Sequence, residues 1–93
     1  MKFDKETAIE KAKGDLASRL GVRASEISVV SATSKEFPDM SLGAPAEGEF
    51  AAQMIASGWE IRLAHNGKEY DYRGDKYQLR LRGFKGKNYL IAG

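Results

Sequence analysis

The pair Asn66-Gly67 constrains the fold of this chain more than any other feature, because it separates two segments in which apolar and polar residues alternate. Asn and Gly both accept a positive φ, so the pair favours a type I′ turn between antiparallel strands. Residues 59–64 and 68–73 are therefore predicted to form a β-hairpin. The side chains predicted to face its core are Trp59, Ile61, Leu63, Tyr70 and Tyr72.

The N-terminal segment predicts one amphipathic helix over residues 4–20, because its apolar residues recur at spacings of three and four. Asp4 is placed to cap the start of the helix, and Gly21 to end it in a left-handed conformation. Gly14 costs a helix about 1 kcal/mol relative to Ala, so we expect it to mark a close approach of the backbone. The predicted apolar stripe is Ala8, Ile9, Ala12, Leu16, Ala17 and Leu20.

Two further segments predict strands. Residues 27–33 are rich in β-branched side chains, and residues 77–82 alternate between apolar and polar. Residues 50–56 are apolar, and periodicity does not separate a strand from a short helical turn there. The tail, residues 84–93, holds one apolar group at 89–91 that either docks as an edge strand or stays flexible and unpaired.

Together these elements predict a single α+β domain over residues 1–93, since a chain of 93 residues is too short for two cores. The helix can bury its stripe only against one face of the sheet. We therefore expect two layers, an N-terminal helix on an antiparallel meander of four strands, or five if the tail docks. Open sheet edges allow pairing between molecules, so the chain is expected to be a monomer or a weak dimer.

Composition bears on compartment and chemistry. The chain has no Cys, which excludes disulfides, thiol nucleophiles and Cys-ligated metals and favours a reducing compartment. The N-terminus lacks an apolar signal core, and no apolar run is long enough to span a membrane. As written, the chain is predicted to be cytoplasmic, although removal of a leader would leave the same sequence.

Few side chains are available for catalysis. His65 is the only histidine and has no partners at metal-ligand spacing, and Ser41 and Ser57 lack a nucleophile-elbow pattern. Carboxylates such as Asp39 and Glu49 are more often solvated loop residues than a paired acid and base. We therefore predict no catalytic residue, no metal site and no cofactor.

Residues 37–48 form a long connection whose two prolines and two glycines exclude regular structure. Connections of this length in a small domain are more often functional than idle. The apolar residues Phe37, Met40 and Leu42 can insert into a groove of a partner. Alternatively, Phe37 and Leu42 fold back and close the open end of the core, and the two arrangements are compatible.

The loop sequence Phe37-Pro-Asp-Met-Ser-Leu-Gly-Ala-Pro, followed by Gly58-Trp-Glu-Ile-Arg-Leu and Asn66-Gly-Lys-Glu-Tyr-Asp-Tyr, resembles a family of small, mostly uncharacterised bacterial and archaeal domains. That family has a loop of the form Trp-x-Asp-x-Ser-Leu-Gly-Cys-Pro, and the likeness covers residues 6–75. Phe37 and Ala44 stand here in place of the Trp and the Cys. The order of elements is also loosely similar to the PepSY and cystatin-like architecture, whose domains are often peptidase-associated or inhibitory.

Loop length and resemblance together predict a non-catalytic module that binds a protein or peptide, with modulation of a peptidase as one form of that role. Because Ala44 replaces the Cys of that family, we expect the loop to be kept for its shape and not for chemistry. The predicted contact residues are Phe37, Asp39, Met40, Ser41, Leu42, Gly43 and Pro45.

The alternative is weak binding of single-stranded nucleic acid or another polyanion. Basic side chains in the C-terminal half interleave with tyrosines, as on surfaces that hold single strands. A net charge of only +2 ranks this alternative second. Its predicted contact residues are Arg73, Lys76, Arg80, Arg82, Lys85 and Lys87.

Overall fold

One helix packs on a five-stranded antiparallel sheet in the computed structural model, which describes residues 2–93. The strands follow one another across the sheet in chain order, so the sheet is a meander. The predicted α+β class and the N-terminal helix are thereby confirmed. The elements are α1 (Lys5–Leu20), a single 3-10 turn (Ala24–Glu26), β1 (Ser28–Phe37), β2 (Ala56–His65), β3 (Lys68–Gly74), β4 (Leu79–Phe84) and β5 (Lys87–Ala92).

Helix α1 begins and ends at the predicted capping residues. The Asp4 carboxylate accepts a hydrogen bond of 2.8 Å from the Thr7 N–H, and the Thr7 hydroxyl accepts one of 2.9 Å from the Asp4 N–H. Gly21 follows the last turn with φ 68°, a left-handed conformation that glycine adopts without strain. No helix within residues 2–93 is long and apolar enough to cross a membrane.

The prediction for Gly14 is wrong. A Cβ atom placed at this position would meet no neighbouring atom within 4 Å, so no close packing requires the glycine. The helix face that packs on the sheet consists instead mainly of buried alanines. The buried residues of the helix are Ala8, Ala12, Leu16 and Ala17.

The sheet face beneath α1 carries the main core, with Tyr72 at its centre. The Tyr72 hydroxyl donates a hydrogen bond of 2.7 Å to the Asp15 carboxylate, and burial raises the pKa of Tyr72 above its ordinary value. Arg19 bonds the same carboxylate at 2.8 Å and lies 4.4 Å from the centre of the Tyr89 ring. These contacts tie the helix to β3 and β5. The fully buried side chains of this core include Leu16, Ile61, Leu63, Tyr72, Leu79 and Leu81.

Strand β1 is longer than predicted. It starts at Ser28 and continues to Phe37 instead of ending at residue 33, because its second half pairs with the first half of β2. This extension contains the charged residues Lys35 and Glu36, which lie beyond the predicted end of the strand. Residues 50–55 form neither of the two elements considered for them, and only Ala56 belongs to a strand.

The fourth strand is shifted from the predicted residues 77–82, since β4 extends from Leu79 to Phe84. The Asp75 carboxylate accepts hydrogen bonds from the Tyr77 and Gln78 N–H groups at 2.8 and 2.9 Å, which closes a turn. Strand β4 therefore begins at Leu79, and Tyr77 is exposed.

The remaining predictions concern the turn between β2 and β3 and the C-terminal tail. Asn66 and Gly67 have φ angles of 51° and 77°, as a type I′ turn requires. The tail is not flexible and unpaired: Lys87–Ala92 pairs with β4 as the fifth strand. Strands β1 and β5 form the two edges of the sheet.

Candidate functional site

The sheet face opposite α1 is partly covered by the long connection between β1 and β2, residues 38–55. We call residues 38–49 the sheet-covering loop. Successive side chains of a strand point to opposite faces, so Glu60, Arg73 and Arg80 project from this second face, next in sequence to residues of the core under α1. A separate buried cluster lies on it, made of Phe37, Leu42 and Ala56.

Asp39 shapes the turn that brings Leu42 into this cluster. Its carboxylate accepts hydrogen bonds from the Ser41 hydroxyl at 2.5 Å, the Ser41 N–H at 2.9 Å and the Gly43 N–H at 3.3 Å. The bond from the Ser41 hydroxyl is the main reason that the pKa of Asp39 is lowered. Leu42 and Gly43 take left-handed φ angles of 58° and 69°. The charged Asp39 thus fixes a turn that buries a leucine.

Arg73 on β3 is the first anchor of the loop. Its Nη1 donates a hydrogen bond of 3.0 Å to the carbonyl oxygen of Leu42, and its guanidinium lies 5.4 Å from the centre of the Phe37 ring. The Asp71 carboxylate holds the other side of the guanidinium through two bonds of 3.3 Å. A Cβ atom at Gly43 would come within 2.6 Å of Nη1, so the glycine is required for this contact.

Arg80 on β4 is the second anchor. Its guanidinium donates hydrogen bonds of 2.5 and 2.7 Å to the two carboxylate oxygens of Glu49, and one of 3.1 Å to the carbonyl oxygen of Ala44. The bonds from Arg80 are the main reason that the pKa of Glu49 falls to about 2. Glu49 also accepts a bond of 3.0 Å from the Ala46 N–H, so it closes the end of the loop.

The two anchors lie directly opposite each other in the sheet, since Arg73 pairs with Arg80 between β3 and β4. Like charges at paired positions are destabilising unless they are compensated. Here the carboxylates of Asp71 and Glu49 and the carbonyl groups of the loop compensate both. In the described part of the chain, no buried side-chain nitrogen or oxygen lacks a hydrogen-bond partner. The loop and the arginine pair therefore depend on each other.

Two amides complete the attachment. Gln78 donates a hydrogen bond of 2.7 Å to the carbonyl oxygen of Met40, and Asn88 donates one of 2.9 Å to that of Pro45. Side chains of the sheet therefore hold the loop from three consecutive strands, namely β3, β4 with its preceding turn, and β5. The result is a fixed surface rather than a free loop.

At the border of this surface, Met40, Ile55 and Tyr77 line an open groove of about 330 Å³, which we call the apolar groove. Their exposed fractions are 37%, 70% and 61%. Lys76 also lines the groove, and Lys2 Nζ lies 5.9 Å from the centre of the Tyr77 ring. Both ends of the β1–β2 connection and the turn before β4 thus present apolar side chains at one place, with ammonium groups beside them.

Residues 9–82 match the family described as a domain of unknown function, DUF8738. The chain belongs to the DUF8738 family. The matched part reaches from α1 into β4 and therefore includes the sheet-covering loop and both arginine anchors. No curated protein and no solved structure matches the chain. The predicted resemblance to a family of small uncharacterised domains is confirmed at that level.

The DUF8738 domain buries several residues that were predicted to contact a partner. Phe37, Ser41 and Leu42 are buried, so they are not presented to a partner on this surface. Phe37 and Leu42 do fold back, but they form a cluster on the sheet face away from α1, separate from the main core, instead of closing the open end of that core. Pro45 is exposed, whereas Asp39 and Gly43 are half-buried in the turn. Met40 is the one exposed residue of the three apolar side chains proposed for insertion.

Part of the predicted polyanion surface is also wrong. Arg73 and Arg80 are 9% and 4% exposed, and their donors are engaged by the loop and by carboxylates. The remaining predicted residues, Lys76, Arg82, Lys85 and Lys87, are exposed. The sequence did contain a signal for the anchors, because alternation places both arginines on the face away from the core, where the long loop has to run.

The apolar groove of the DUF8738 domain was only partly identified from the sequence. Ile55 belongs to the apolar segment 50–56 that periodicity could not assign, and Tyr77 was predicted to be a strand residue. Phe50 and Met54 are exposed in the same connection. The feature of the sequence that pointed to this surface is therefore an apolar segment whose periodicity does not distinguish a strand from a helix.

Groups for covalent chemistry are dispersed. The Ser41 hydroxyl donates a hydrogen bond to the Asp39 carboxylate, and His65 lies beside the β2–β3 turn, where it pairs with Lys68. Within residues 2–93, no three His, Asp or Glu side chains lie close enough together to hold a metal ion.

Proposed function

We propose that this domain is a non-catalytic binding module that receives a segment of a partner polypeptide in the apolar groove. The observation that carries the proposal is that Met40 and Ile55, from the two ends of the β1–β2 connection, and Tyr77, from the turn before β4, line one open groove. Exposed apolar side chains that cluster in this way on a small domain are typical of interaction sites.

The rigidity of the neighbouring loop supports the same role. Met40 is held through both of its backbone groups. Its N–H donates a hydrogen bond of 3.0 Å to the Ala52 carbonyl oxygen, and its carbonyl oxygen accepts one from the Gln78 side chain. A side chain presented by an ordered backbone loses little conformational entropy on binding. The sheet-covering loop therefore acts as a support, and Met40 is its contact residue.

Charge defines the partner more closely. Lys76 lies at the groove, and Lys2 lies over Tyr77. The Asp75 carboxylate, by contrast, accepts hydrogen bonds from N–H groups of its own turn. A partner that offers an apolar side chain flanked by acidic residues would satisfy both features. A second groove of about 400 Å³ is lined by Trp59 and shares Lys76 and Ser57 with the first. An extended segment can follow both.

Modulation of a peptidase is the finer form of this proposal. It rests on the loose similarity to the PepSY and cystatin-like architecture. An inhibition assay against a panel of peptidases tests it separately from binding, and the absence of inhibition would remove the finer form alone.

Selection from a displayed random-peptide library tests the proposal. We expect selected peptides to combine an apolar residue with neighbouring acidic residues. The triple variant M40S/I55S/Y77S should weaken their binding at least about tenfold, as expected when apolar anchors are removed. A Lys76→Glu variant should reverse the preference for acidic residues.

The matched control removes three exposed apolar side chains from the edge strands, in the variant V29S/V30S/L90S. This control should bind the selected peptides as the unchanged domain does. Both triple variants alter exposed side chains, and their melting temperatures establish that they fold. Equal binding by the groove variant and the unchanged domain would refute the proposal.

A further inference from the structure

A small cleft opens between β3 and β4 where their pairing stops. The last paired residues are Asp71 and Arg82, although β3 begins at Lys68 and β4 continues to Phe84. The cleft between these unpaired ends has a volume of about 110 Å³. A cleft of this size has room for a group of several heavy atoms.

Basic side chains surround this cleft, which we call the hairpin-end cleft. Arg62 comes from β2, Lys68 from the start of β3, Arg82 from β4, and Lys85 from the turn that follows β4. No single stretch of sequence contains this group. The sheet assembles it, and Arg62 and Lys68 were absent from the predicted polyanion surface.

Carboxylates in the same cleft do not cancel this charge. Asp71 is held by Arg73 through two hydrogen bonds from within the sheet, so its negative charge is already balanced. Glu69 is half-exposed, and its carboxylate lies 3.8 Å from Arg62. The four cations therefore leave an excess of positive charge at the cleft.

The four cations also keep their hydrogen-bond donors available. Arg82 lies 3.6 Å from Asp71, beyond hydrogen-bond distance, and among the described residues none of the four donates a side-chain hydrogen bond. Arg62 and Arg82 are 41% and 52% exposed in their side chains. Arg73 and Arg80, by contrast, have their donors engaged. An incoming oxyanion would thus gain charge-assisted bonds without displacing existing ones.

We propose that the hairpin-end cleft binds a phosphate group. The arginine and lysine donors that line the cleft suit the oxygens of a tetrahedral oxyanion. The group can belong to a small phosphorylated molecule or to the backbone of a single nucleic-acid strand. In the second case the adjoining nucleotide would border the half-buried Tyr70 ring, which lines the cleft and packs against Phe84 with ring centres 6.1 Å apart. The site is separate from the apolar groove.

Two-dimensional NMR of the isotope-labelled domain tests this proposal, with inorganic phosphate as the first probe and oligothymidylate as the second. We expect the amide shifts to change at residues 68–71 and 82–85 with inorganic phosphate. The variant R82Q/K85Q should weaken binding at least about tenfold, because two charge-assisted contacts are lost. Lys68→Gln should weaken it by a smaller factor.

The control variant K5Q/K11Q removes the same charge from exposed positions of α1. It should change the affinity by less than about twofold, since its lysines lie outside the cleft. Oligothymidylate that binds more tightly than inorganic phosphate, with further shifts at Tyr70, would assign the phosphate to a nucleic-acid strand. Equal affinities would assign it to a small molecule. Unchanged shifts at the cleft with both probes, or equal weakening by the control, would overturn the proposal.

Discussion

Replacement of Glu49 by Gln should remove a pH-dependent part of the stability of this domain. The pKa of Glu49 is about 2 in the folded chain, against an ordinary value of 4.5, mainly because Arg80 donates hydrogen bonds to the ionised carboxylate. A carboxyl group whose pKa is lowered by folding stabilises the folded state while it is ionised. Its contribution is complete above about pH 5 and is lost as the pH falls from about 4.5 towards 2.

The difference between the two pKa values would correspond to about 3 kcal/mol in a site closed to water. The Glu49 side chain is 27% exposed, so solvent screens the interaction, and we expect about 1–2 kcal/mol. For a domain of this size, that amounts to a fall in melting temperature of roughly 5–15 °C near neutral pH.

Urea titrations of the unchanged domain and of Glu49→Gln, followed by circular dichroism between neutral and acidic pH, measure this contribution. The two free energies of unfolding should differ by a constant amount near neutral pH and converge in acid. Glu47→Gln is the matched control, because Glu47 is an exposed carboxylate of the same loop. A difference that persists unchanged into strong acid, or that Glu47→Gln reproduces, would refute the assignment to the Arg80 contact.

Three further substitutions test the packing by thermal or urea unfolding. Phe37→Ala should cost about 3–5 kcal/mol, because it empties the cluster under the loop, and a cost below 1 kcal/mol would show that the loop is not core. Gly14→Ala should add about 0.5–1 kcal/mol of stability, since a Cβ there meets nothing; destabilisation would contradict the open environment. Tyr72→Phe should cost about 1–2 kcal/mol through the lost bond to Asp15, and an unchanged unfolding free energy would exclude that bond.

The sequence by itself determined the elements that rest on local signals. Asp4 and Gly21 mark the ends of α1, because a cap satisfies backbone groups only a few residues away. Asn66 and Gly67 set the β2–β3 turn through their own φ angles. The alternation on both sides of this turn assigned Ile61, Leu63 and Tyr72 to the core, since the side chains of a strand have a period of two.

Only the tertiary structure decided the role of the loop and its anchors. Arg80 and Glu49 are 31 residues apart in sequence, and Arg73 and Leu42 are also 31 apart, so no local pattern joins them. The docking of β5 and the exposure of Tyr77 likewise follow from cross-strand pairing and from the Asp75 turn. The sequence pattern around a strand arginine is the same whether its side chain faces solvent or a covering loop. Its burial is fixed only when the chain brings carbonyl and carboxylate oxygens over it, and that arrangement belongs to the folded chain as a whole.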